Sequence, residues 1–153
     1  MRKNAIILMA MVSITTPNFA PTKEKISDHE KYEKKEQGIP WVVKQAFNKQ
    51  YPTATARWEK EDGKYEANFN YLNHKMSVSF EENGNLIESE VEIKNAELPS
   101  SALKYIDDHF KGATIKESAK ITKVNGEINY EAEVKGKDLI FDASGKFLKE
   151  IED

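Results

Sequence analysis

The sequence predicts an α+β protein: two tandem helix-plus-four-strand repeats forming an antiparallel sheet with both helices on one face. Three observations lead there. A proline-initiated stretch of helical period occurs twice, at Pro40 and at Pro99, and each copy runs on into segments of period 2. Each copy also carries the same turn motif at the same spacing: Phe80-Glu-Glu-Asn-Gly-Asn-Leu86 against Phe141-Asp-Ala-Ser-Gly-Lys-Phe147. Neither half could bury its apolar face well alone, and 153 residues suffice for one ordinary domain or two very small ones sharing a core.

Residues 1–20 read as a signal peptide. Arg2 and Lys3 give a basic start, Ala5 to Ile14 is apolar except for Ser13, and Asn18-Phe19-Ala20 ends on a small residue. The apolar run is too short to span a bilayer, which needs roughly 20 residues, so we expect export with cleavage after Ala20 and no stable membrane insertion afterwards. Removing it takes away two basic residues and no acid, moving the net charge from −3 to −5. Residues 21–37 read as a charged flexible tether. From Thr22 to Gln37 ten of sixteen positions are Lys, Glu or Asp, too few apolar groups to offset the entropy of ordering.

The first repeat is placed at 38–97. Val43, Ala46, Phe47 and Tyr51 mark one helix face after Pro40, which fits the first helical turn, and Pro52 stops the helix. Asp62-Gly63 supplies a tight hairpin. Tyr65, Ala67, Phe69 and Tyr71 then alternate with polar residues, followed by Met76, Val78 and Phe80, and by a last strand over 87–93. The second repeat, 98–153, follows the same order. Leu103, Ile106 and Phe110 mark its helix, Gly112 its stop, Asn125-Gly126 its hairpin, and Ile128, Tyr130, Ala132 and Val134 its alternating strand. Leu139 and Phe141 lie on the next strand, and the last covers 148–151.

The search for chemistry is mostly negative. With no cysteine there are no disulfides, thiolate nucleophiles or zinc ribbons, and no Gly-x-Ser-x-Gly elbow is present. His29, His74 and His109 fall in the tether, a hairpin turn and a last helical turn, where solvation or the helix dipole explains them better than a metal. The seven glycines are dispersed at turns rather than clustered as a phosphate cradle, and lysines are interleaved with acids, which argues against nucleic acid. We therefore expect no catalytic residues, no cofactor and no metal.

What remains is the sheet face opposite the helices. If Tyr65, Phe69, Tyr71, Met76, Val78 and Phe80 face the core, alternation puts Glu66, Asn68, Asn70, Lys75, Ser77 and Ser79 on the open side, with Glu88, Glu90 and Glu92 along the next strand. Such a face can simply be wet; as a recognition surface it suits a basic or hydrogen-bonding partner. The candidate protein-binding residues are Asn68, Asn70, Ser77, Ser79, Glu88, Glu90 and Glu92, with Trp41 at the helix start as an exposed anchor. Trp58, in phase with Ala54 and Ala56, is expected in the core.

The paired Ile39-Pro40 helix, the Asp62-Gly63 hairpin, Tyr65-Glu66-Ala67 and the Phe80…Gly84…Leu86 turn resemble the PepSY-like, beta-lactamase-inhibitor-like family of exported bacterial proteins, over residues 38–153. The resemblance implies an open sheet that grips a protein such as a hydrolytic enzyme, but no enzyme-inserting residue can be carried over. The expectation is an exported, periplasmic or secreted, non-enzymatic protein-binding module that inhibits or modulates an enzyme. The alternative is an envelope carrier of a small molecule or ion, motivated by Glu88, Glu90 and Glu92.

Overall fold

The structure, a computed structural model, describes residues 38–152 apart from Asp62; the leader, the tether and His29 lie outside the described residues. Among the described residues two helices and eight strands follow in the order α1 (Trp41–Gln50), β1 (Arg57–Glu61), β2 (Lys64–Tyr71), β3 (His74–Phe80), β4 (Leu86–Glu92), α2 (Ser100–His109), β5 (Ile115–Lys123), β6 (Ile128–Val134), β7 (Lys137–Asp142) and β8 (Phe147–Glu152). A single 3-10 turn, Asn95–Glu97, precedes α2. The strands form one antiparallel sheet in sequence order, with α2 intervening between the neighbours β4 and β5. β4 pairs with β5 at the middle of the sheet, where Glu88 faces Lys123, Glu90 faces Ile121 and Glu92 faces Ala119.

Pro40 and Pro99 occupy the caps just before α1 and α2, one position earlier than the first-turn placement, with φ −57° and −53° and extended ψ. No backbone N–H is lost at either place, so proline is equally compatible with both positions. Each helix presents a narrow apolar stripe to the sheet. Val43 and Phe47 are buried among Tyr65, Ala67, Phe69, Val78, Phe80 and Trp58, while Ala102 and Ile106 are buried among Leu98, Ala132, Val134, Leu139 and Phe141. Ring geometry fixes both clusters. Phe47 meets Phe69 edge-on at 4.9 Å and Trp58 at 5.4 Å, and Tyr105 stacks on Phe147 at 4.5 Å.

The repeated turn motif explains its own glycine. Gly84 and Gly145 join β3 to β4 and β7 to β8, with φ of 84° and 82°, in the left-handed region that glycine enters without a steric penalty. In both copies the turn also abuts a helix start. A Cβ on Gly145 would lie 2.7 Å from Pro99 Cβ and 2.9 Å from Ala102 N, and one on Gly84 would lie 3.0 Å from Val42 O. Ser101 Oγ adds a hydrogen bond to the Ser144 carbonyl in the second copy.

One hairpin differs from its expected form. β2 and β3 are joined by Leu72 and Asn73, both with positive φ (50° and 66°), and His74 opens β3 rather than sitting in the turn. This is a two-residue hairpin whose twist matches the strands, achieved without glycine.

Candidate functional site

In β2, β3 and β4 the residues that alternate with the core set line up across the sheet. Glu66 faces Ser79 and Asn68 faces Ser77; Ser77 in turn faces Glu90, and Ser79 faces Glu88. Asn70 faces Lys75 at the end of the same pair of strands. Seven of the candidate residues, Asn68, Asn70, Ser77, Ser79, Glu88, Glu90 and Glu92, therefore occupy three adjacent strands in register. Trp41 does not join them: it is 73% exposed at the start of α1, whose Val43 points into the core. Trp58 is buried, with its ring near Phe47 and Phe80.

The face continues across β5, β6 and β7, where it changes character. Ala119, Ile121 and Ile140 belong to neither core cluster, yet all three are buried, as is Asn129. They are linked by register: Glu90 to Ile121 to Asn129, and Glu92 to Ala119 to Glu131 to Ile140. So the middle of this face has an apolar floor flanked by carboxylates. Its sequence trace was the run Leu139-Ile140-Phe141, which breaks the alternation as a strand buried on both sides must.

The electrostatics follow from that floor. Burial pushes the Glu90 carboxyl up to about 7, and the charges of Glu66, Glu88, Glu117 and Asp138 push the same way. Burial likewise raises Glu131, to about 8, with Glu90 the first of the neighbouring charges that add to it. Across the strands Glu90 faces Ile121 and Glu131 faces Ala119 and Ile140, and the Glu90 charge opposes ionisation of Glu131. Two cations of the face are engaged elsewhere: Lys75 Nζ lies 3.1 Å from Glu92 and 3.7 Å from Glu117, and Lys123 Nζ lies 2.7 Å from Glu127. Hydrogen bonding to Glu92 raises the Lys75 ammonium. A cavity of about 90 Å³ lies between Asn68, Ser77, Lys75 and the Glu90, Glu92 and Glu117 side chains.

Asn129 carries the one unsatisfied buried side-chain atom among the described residues. Its Nδ2 donates to Glu127 Oε1 at 3.3 Å, while its Oδ1 has no donor. The two remaining histidines have local roles. His74 is exposed at the start of β3; His109 lies at the end of α2, its ring stacked on Tyr105 at 4.0 Å and its Nδ1 2.8 Å from the Tyr105 carbonyl oxygen. Among the described residues, no three acidic or histidine groups stand close enough to hold a metal ion.

A family model described as "Putative beta-lactamase-inhibitor-like, PepSY-like" matches residues 25–88 and again 71–149. Solved structures with the same fold include a Bacteroides eggerthii protein described as "putative periplasmic" (17% identity, TM-score 0.65, 74% of this chain and 88% of that one). A DUF2874 family protein from Bacteroides uniformis shares 17% identity at TM-score 0.63, covering 73% and 88%. A BLIP-like protein from Bacteroides fragilis shares 25% identity at TM-score 0.54, covering 76% and 89%. No curated protein matches the sequence.

Proposed function

Since the chain belongs to the PepSY-like, beta-lactamase-inhibitor-like family, we propose that it is an exported, non-enzymatic module that binds another protein through the open face of its sheet. On this reading residues 1–20 are a leader, 21–37 a tether, and 38–97 and 98–153 tandem halves with both helices on one face. The partner is an enzyme of the envelope or exterior that the module restrains. One observation carries the reading: polar and acidic side chains of β2, β3 and β4 stand in register on a face whose centre is apolar and desolvated. An apolar centre inside a polar rim is the anatomy of a protein interface rather than of a merely wet sheet. The BLIP-like relative from Bacteroides fragilis supports the same direction. The ion-carrier alternative is weakened at Glu92, which Lys75 already neutralises.

The test is retention of an envelope protein by the purified chain, compared with a Glu88→Lys/Glu92→Lys variant. We expect a discrete partner, retained at low salt, weakened by added salt and lost with the charge reversal, because the steering is electrostatic. Retention indifferent to both would remove the face from the account.

A further inference from the structure

The centre of the open face holds an arrangement more specific than an acidic patch. Its floor, Ala119, Ile121 and Ile140, is apolar and buried although it lies away from both core clusters. Glu90 and Glu131 flank that floor, and among the described residues neither is ion-paired with a cation. Asn129, 5% exposed, lies in one cross-strand row with Ile121 and Glu90. Glu127 holds its Nδ2, which leaves Oδ1 on the other side of the amide as an acceptor without a donor. Two carboxylates, an orphaned carbonyl and an apolar bed together call for a ligand with several N–H donors, a positive charge and an aliphatic stem.

We propose that this centre receives an arginine side chain of the partner protein, its methylenes on Ala119, Ile121 and Ile140 and its guanidinium between Glu90 and Glu131, with Asn129 Oδ1 accepting one further N–H. The inference rests on the protein-binding reading above and names the group that reading requires. Guanidinium fits better than a metal ion because the acidic groups do not converge on a point, whereas a planar fork of five donors can bridge carboxylates that stand apart. It fits better than ammonium because a compact, strongly hydrated charge could not serve both carboxylates and the amide at once. The other charges facing the site are Glu66 of β2, Lys75 of β3, Glu88 and Glu92 of β4, Lys116, Glu117 and Lys123 of β5, Glu127 beside Asn129, Glu133 of β6, Asp138 of β7 and Lys149 of β8. Three of these four lysines are already engaged, Lys75 by Glu92 and Glu117, Lys116 by Glu133 and Lys123 by Glu127.

The experiment follows the methyl signals of Ala119, Ile121 and Ile140 in the labelled full chain during titration with N-acetyl-arginine amide. N-acetyl-citrulline amide, the neutral isostere, and calcium chloride alone are the comparators. Near pH 9, where both carboxyls are ionised, arginine amide is expected to shift these methyls saturably in the millimolar range. Near pH 6 binding weakens at least tenfold, since Glu90 is then about nine-tenths protonated and Glu131 more completely so. Glu90→Gln/Glu131→Gln abolishes it at both pH values, and the pH comparison on the unaltered chain stands even if that variant folds poorly. Absence of saturation, equal shifts with citrulline amide, or calcium saturating the site and excluding arginine amide would each overturn the proposal. Partner retention that survives the double glutamine variant would overturn it too, while leaving the protein-binding reading intact.

Discussion

Replacing Gly145 by alanine isolates the contact between the β7–β8 turn and the start of α2. The backbone there has φ 82°, which costs an L-residue about 1–2 kcal/mol. The new Cβ would also press to 2.7 Å from Pro99 Cβ and 2.9 Å from Ala102 N, neither of which can swing aside. Overpacking of this kind adds about 1–3 kcal/mol, for a total of about 2–5 kcal/mol. Gly126 provides the control, with φ 85° but nothing within 4 Å of an added Cβ, so Gly126→Ala should show the backbone cost alone. In a domain of this size 1 kcal/mol moves the melting temperature by roughly 3–6 °C, which places Gly145→Ala well below Gly126→Ala in a thermal melt. Equal losses in the two variants would refute the packing argument and leave only φ.

Three other outcomes follow from the same structure. Glu90 and Glu131 have folded pKa values raised above the unfolded ones, so their contribution is fully present below about pH 4 and is lost as pH rises through about 7 and 8. Denaturant titrations should therefore show stability falling between pH 5 and pH 9, on the order of 3 kcal/mol from Glu90 alone, and Glu131→Gln should flatten the slope and stabilise at pH 9. Asn129→Leu removes an unsatisfied buried acceptor, so equilibrium unfolding should find it neutral or stabilising, against a typical loss of about 1 kcal/mol for a buried substitution. Phe141→Ala, at a fully buried position touched by Tyr105 and Phe147, should cost about 3–5 kcal/mol by chemical denaturation, whereas Trp41→Ala should stay within about 0.5 kcal/mol.

Much of the fold was legible because periodicity and turn chemistry agreed. The Tyr65, Ala67, Phe69 alternation and the paired Phe…Gly motifs each correspond to an observed strand or turn, and the helix faces differ only in detail, Ala102 being buried where Leu103 is half-buried. The packing role of Gly145 was not legible, since a composition signal for a turn says nothing about a helix 40-odd residues earlier in the chain. The face was half legible. Alternation places Asn68, Ser77 and Glu90 together, but the apolar floor comes from β5 and β7, where Ala119 and Ile121 alternate with polar residues that themselves point toward the core side, as Ser118 and Lys120 do. Raised carboxyl pKa values are invisible in the sequence for the same reason: they depend on what is buried around the group, as Ile121 is across the strand from Glu90.

The most direct measurement is photo-cross-linking in an envelope extract, with the reactive group placed either at Ser77 on the open face or at Lys49, exposed on α1. A discrete protein adduct from position 77, reduced by salt and absent from position 49, is expected if the open face binds the partner. Adducts from position 49 alone, or the same adducts from both positions, would contradict it.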